Sequence, residues 1–165
     1  MMVLYLVRHG IAVDRTDPKC PPDPERPLTA RGVQKTRSAA LGLCELGAKP
    51  DAILSSPYVR AAQTAEIFAE ALGFPPEKIR VSDYLKPGDN PADTLREISR
   101  LHAKEVACFG HAPHLDMLIA HLIGARTAFT ELKKAGSACL EQASAQGRWE
   151  LRWLVAPKML RGLGD

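Results

Sequence analysis

Short apolar runs and longer stretches with helical spacing of apolar residues take turns along this chain. Met2 to Val7 (MVLYLV) is continuously apolar and rich in strand formers, which predicts a strand covered on both faces. Asp14 to Pro27 holds five prolines and several charges, which predicts a long surface loop. Thr29 can cap a helix running to about Leu46, with Gly47 as its stop. Ala52 to Ser55 reads as a second strand. Ser56 as cap and Pro57 at the first helical position then open a helix from Tyr58 to about Leu72.

The alternation continues. Ile79 to Val81 predicts a short strand, Pro91 a helix reaching about Lys104, and Val106 to Phe109 a strand ended by Gly110. Pro113 begins a helix through about Ile123. Ala138 to Gln142 and Trp149 to Val155 are the last two strands. In the second of these, Trp149, Leu151, Trp153 and Val155 fall on one side by period-two alternation. Strands alternating with helices imply an α/β fold of three layers, a central and largely parallel sheet flanked by helices. With 165 residues, a single domain over 1–165 is expected. In such a sheet, ligands bind beyond the carboxyl ends of the strands.

Composition narrows the partners. The net charge of +3 is too mild to argue for nucleic acid, and the basic residues are scattered along the sequence. Lys133-Lys134 reads as a solvated patch. None of Cys20, Cys44, Cys108 and Cys139 forms a C-x-x-C pair, so reduced and mostly buried thiols in a reducing cytoplasm are expected. Met2 to Val7 is too short for a signal h-region, and no apolar run approaches the ~20 residues of a membrane span.

Three strand-to-helix junctions carry the candidate chemistry. They are Arg8-His9-Gly10, Ser55 to Arg60, and Gly110-His111. A helix N-terminus is already partly positive, so Arg60 in the first turn costs stability unless an anion offsets it. If the three strands are neighbours, Arg8, His9, Arg60 and His111 gather at one sheet edge. That cluster suits a phosphoryl group: guanidinium forks grip its oxygens, and surrounding cations favour a neutral, nucleophilic imidazole. His111, His114, Asp116 and His121 meet no metal-ligand spacing, and a surface or partner-facing role is expected for them.

LYLVRHG, then SSPYVRAAQTAEIF, then FGHAPHLDML resembles the histidine phosphatase superfamily, also called phosphoglycerate-mutase-like. Within it, RPLTARG at Arg26 to Gly32 and the closing strand pair look most like the SixA-type phosphohistidine phosphatases. The resemblance implies a cytoplasmic enzyme that uses no metal or organic cofactor. His9 would be the nucleophile that becomes phosphorylated, with Arg8, Arg26, Arg60 and His111 holding the phosphoryl oxygens. The substrate would be a phosphorylated protein and the product inorganic phosphate. Many members of the superfamily carry a glutamate as general acid. Here Asp83 or Asp14 is the nearest counterpart, and Ala112 stands where an asparagine is common. A labile phosphorus–nitrogen bond needs less acid help than an ester, so the missing glutamate favours phosphohistidine. The chain has little spare length for a roof, which implies an open, shallow site. Two rival readings are a small-molecule phosphomonoesterase or phosphosugar mutase, and a phosphate-binding module without turnover.

Overall fold

Burial on both faces organises the first strand. Val3, Tyr5 and Val7 project to one side and Leu4 and Leu6 to the other, and all five are buried. The structure, a computed structural model, describes residues 1–164. Strand β1 (Met2–Arg8) pairs in parallel with β4 (Glu105–Gly110) and antiparallel with β5 (Ser137–Gln142). On the far side of β4 lies β2 (Ala52–Ser55), then the two-residue β3 (Arg80–Val81), both parallel. The strand β6 (Trp149–Val155) closes the other end antiparallel to β5. The order is β3-β2-β4-β1-β5-β6, so the parallel body expected from the alternation carries an antiparallel flank.

Helices cover both faces, giving the expected three layers. Helices α1 (Ala30–Glu45), α2 (Val59–Leu72) and α5 (Pro157–Gly164) lie on the Tyr5 side. There Phe68 meets Phe109 edge-on at a centroid distance of 5.3 Å. Helices α3 (Pro91–Ser99) and α4 (His114–Ile123) cover the other side, where Ile98, Leu115 and Leu118 pack on Leu4, Leu6 and Cys108. Fully burying each such leucine is worth roughly 1.5–3 kcal/mol.

Three local expectations need correction. Ser56 and Pro57 do not start α2. Tyr58 is the residue before the first helical one and supplies no side-chain cap. The Ser56 hydroxyl instead accepts from Tyr58 N at 3.2 Å and turns towards His111. Helix α3 stops at Ser99 rather than near Lys104, because Asp51 accepts from the amides of Lys104 and Glu105 at 3.0–3.1 Å and sets the start of β4. Of the cysteines, Cys108 and Cys139 are buried, but Cys44 is exposed on α1.

Helix α5 has no counterpart in the sequence reading. Its Leu160 is buried against α1, and Gly42 is what permits the approach: a Cβ there would overlap the Leu160 carbonyl. Gly42→Ala should therefore lose about 1–3 kcal/mol of stability. Gly162→Ala, whose Cβ would meet nothing within 4 Å, should gain up to about 1 kcal/mol. Urea titration of both variants checks this, and equal behaviour would remove the packing explanation.

Candidate active site

Two backbone hydrogen bonds lock the three junctions side by side. Ser56 N donates to Phe109 O at 2.9 Å, and His9 N donates to Gly110 O at 3.0 Å. His9, Arg60 and His111 thereby converge at the carboxyl ends of β1, β2 and β4. They are only 6%, 2% and 1% exposed. The His9 and His111 rings lie 5.2 Å apart, and Tyr58 meets His111 edge-on at 5.1 Å. The Arg60 guanidinium stands 5.0 Å over the Tyr58 ring.

The His9 ring is oriented by its own turn. Nδ1 lies 2.7 Å from Gly10 O. A carbonyl oxygen only accepts, so Nδ1 carries the proton and Nε2 keeps its lone pair. Arg60 Nε donates to that Nε2 at 3.2 Å. Burial pushes the His9 pKa down, the Gly10 hydrogen bond opposes this, and the charges of Arg60, Arg8 and Lys134 reinforce it, to about 3. The ring is thus a neutral imidazole whose unprotonated nitrogen accepts from a guanidinium. His111 is likewise depressed, to about 2, by burial first and then by the neighbouring His9 and Arg60, with Asp23 opposing. Its Nε2 pairs with the Ser56 hydroxyl at 2.8 Å, and its Nδ1 has no partner.

The match to the family model described as histidine phosphatase superfamily (branch 1) runs over residues 4–86. An uncharacterized protein of Picosynechococcus sp. is 38% identical, over 96% of this chain and 99% of that protein. The chain belongs to the histidine phosphatase superfamily. Its fold superposes on the protein histidine phosphatase SixA, solved with tungstate, with a TM-score of 0.84 and 25% identity, covering 96% of this chain and 99% of that one. The mitochondrial serine/threonine-protein phosphatase Pgam5 of Drosophila melanogaster is 35% identical over 52% of this chain but 28% of its own length. Phosphatase activity follows from the family, while these relatives' names point to different phosphorylated side chains.

The other expected residues of this phosphatase divide. Arg26 is buried beside the cluster, donating through Nε to Asp23 at 2.9 Å and through NH1 to Val13 O at 2.7 Å. Arg8 follows β1 into the junction, but its NH1 donates to Leu132 O at 2.9 Å, and its side chain lines a neighbouring cleft. Asp83 stays out, 78% exposed and paired with Lys86 at 3.3 Å. Asp14 is exposed and accepts from its own turn at Thr16. His114 and Asp116, expected at the surface, are buried instead. His114 pairs with Thr94 at 3.0 Å, while Asp116 accepts from Thr130 and from Leu132 N. Asp116 thereby fixes the segment whose carbonyl receives Arg8.

Asp23 is the residue that sequence reasoning missed. It sits in a 3-10 turn, Asp23–Glu25, inside the proline-rich loop. Its carboxylate receives Arg26 at 2.9 Å, Arg15 at 3.1 Å and Arg60 at 3.3 Å, and its carbonyl receives Arg60 NH1 at 2.7 Å. Partial burial would raise its pKa, but Arg60, Arg26 and Arg15 outweigh this and hold it below the usual carboxylate range. The site is accordingly less open than the short chain suggested, because this turn folds over Arg60. The available signal was the unbalanced cation at the start of α2, which called for an anion.

Two outcomes test this geometry. Asp23→Asn keeps the shape and removes the charge, so tungstate should bind about fivefold or more tighter by calorimetry. Unchanged or weaker binding would make the carboxylate a support for Arg60 rather than its competitor. The histidines set a pH dependence. Unfolded, each takes up a proton near 6.5, whereas folded His9 holds out to about 3 and His111 to about 2. Their contribution is fully present above about pH 6.5 and is lost as the pH falls. In phosphate-free buffer, going from pH 7 to pH 5 should cost about 2 kcal/mol per imidazole. His111→Gln should remove its share of that slope in urea titrations.

Proposed function

We propose that this phosphatase hydrolyses phosphohistidine on a protein by way of a covalent phosphohistidine at His9. The observation that carries the reading is the His9 ring itself: its Nδ1 proton is committed to Gly10 O, and its Nε2 lone pair faces Arg60 in a nearly dry, cationic recess. A neutral imidazole is the form that can attack phosphorus. In the first step, His9 Nε2 forms a bond to phosphorus while the bond to the substrate nitrogen breaks. The substrate ring, protonated on its other nitrogen, keeps that bond's electron pair and leaves as neutral imidazole, and His9 keeps its Nδ1 proton, donated to Gly10 O. In the second, water attacks phosphorus, the bond to His9 breaks, and inorganic phosphate leaves. Arg60, Arg26, Arg8 and His111 bind the oxygens as charge spreads over them. Displacing Asp23 frees the Arg60 and Arg26 donors for this.

The proton inventory supports a phosphoramidate over an ester. Asp83 and Asp14 are engaged outside the recess, and Asp23 is held ionised by three guanidinium groups. None is a ready acid for an alkoxide leaving group, whereas an imidazole leaves with less help. A second reading, a serine or threonine phosphomonoesterase, draws on the Pgam5 likeness over about half the chain.

Brief exposure to radiolabelled phosphoramidate should label the wild type and leave His9→Ala unlabelled. Turnover should fall by about 10⁴-fold or more in His9→Ala and by about 10²–10³-fold in Arg60→Ala. Equal labelling of both proteins would end the nucleophile assignment. A phosphohistidine peptide should be hydrolysed faster than a phosphoserine peptide or a sugar phosphate, and the reverse order would favour the second reading.

A further inference from the structure

Beside the phosphoryl recess lies an open cleft of about 490 Å³ whose walls come from α1, α5 and the segment leading into β5. Six cations face it: Arg8, Lys35, Lys133, Lys134, Lys158 and Arg161. Among the described residues one carboxylate, Glu131, answers them, and it is already paired with Lys133 at 2.6 Å. A chain of net charge +3 thus concentrates, among its described residues, an excess of five positive charges in one concavity. Such a field attracts and steers anions. Among the described residues, Arg8 Nε and Thr36 Oγ1 of the lining find no hydrogen-bond partner.

The cleft is joined to the recess by Arg8, which precedes His9 and lines the cleft, and by Lys134, whose charge reaches His9. A ligand that fills both must carry a phosphoryl group at one end and further negative charge alongside. The cleft is too large for one phosphate ion. Among the described residues no aromatic side chain lines it, so a nucleic-acid base has nothing there to stack on. Its floor of Ile11, Ala135 and Ala156 suits the aliphatic stems of acidic side chains.

We infer that this cleft docks an acidic segment of the phosphorylated protein, flanking the phosphohistidine that enters the recess. The inference rests on the proposed function for the identity of the phosphoryl group, but the docking of acidic chain is separable from hydrolysis. Electrostatic complementarity of this kind raises encounter rate and sets partner choice.

The test uses three phosphohistidine probes of one length: a glutamate-rich peptide, a glycine/serine peptide, and free phosphohistidine. It also uses the unphosphorylated glutamate-rich peptide, followed by fluorescence anisotropy. The wild type should favour the glutamate-rich substrate by about tenfold or more in kcat/KM, and the preference should shrink between about 50 mM and about 300 mM salt. The triple variant Lys35→Glu, Lys158→Glu, Arg161→Glu should lose that preference while hydrolysing free phosphohistidine within about twofold of the wild type. Lys158→Glu alone, at an exposed position, should lose part of it and guards against misfolding of the triple variant. The unphosphorylated peptide should bind the wild type and release on charge reversal. Failure of all hydrolysis with retained, charge-dependent peptide binding would defeat the proposed reaction and leave the cleft standing. No preference between the peptides, equal losses on all substrates, or tighter binding of a single-stranded RNA of equal charge would overturn the docking assignment.

Discussion

A guanidinium group buried at the start of a helix cannot stay unpaired. Arg60 is 2% exposed and stands where the peptide dipoles of α2 already concentrate positive charge. Removing a charge from water without a partner costs several kcal/mol. The fold meets that cost with the carboxylate and carbonyl of Asp23 and with the face of Tyr58. The recess is therefore arranged around an anion whether or not a substrate is present. The proline-rich loop is drawn over the sheet edge because it carries that anion.

The sheet supplies the rest of the arrangement. Placing β4 between β1 and β2 brings three junctions into register, and the two bonds between their backbones leave little room for the rings to drift. The chemistry proposed for His9 depends on this rigidity. Its tautomer is set by the carbonyl of the next residue and its charge state by burial, so both are fixed before any ligand arrives.

Much of this was legible in the sequence. The β1, β2 and β4 segments announce themselves as apolar runs, and R-H-G, S-P-Y-V-R and G-H mark where they end. Their convergence could be expected because a parallel sheet exposes its strand ends together. Contacts set by tertiary geometry were not legible. Asp23 looks like any loop aspartate until three arginines surround it. Ser56 has the sequence signature of a cap, but the imidazole of His111, 55 residues away, takes its side chain. Helix α5 has a one-sided apolar pattern, but it is only eight residues long and two of them are glycine, so the sequence alone does not mark it as a helix, and Gly42 is what opens α1 to it. The lysines of the cleft come from α1, from the segment leading into β5 and from α5, and only the tertiary packing of these three collects them.

Asp116 illustrates how far such geometry reaches. It belongs to α4, in the layer that covers Leu4 and Leu6, and it is 97% shielded from water, being 3% exposed. Through Leu132 it decides where the Arg8 guanidinium comes to rest. If the proposed reaction holds, genetic selection for inactive alleles should return this aspartate together with His9, although it meets no reacting atom. A lesion there would resemble a defect of chemistry while its origin lay in carpentry.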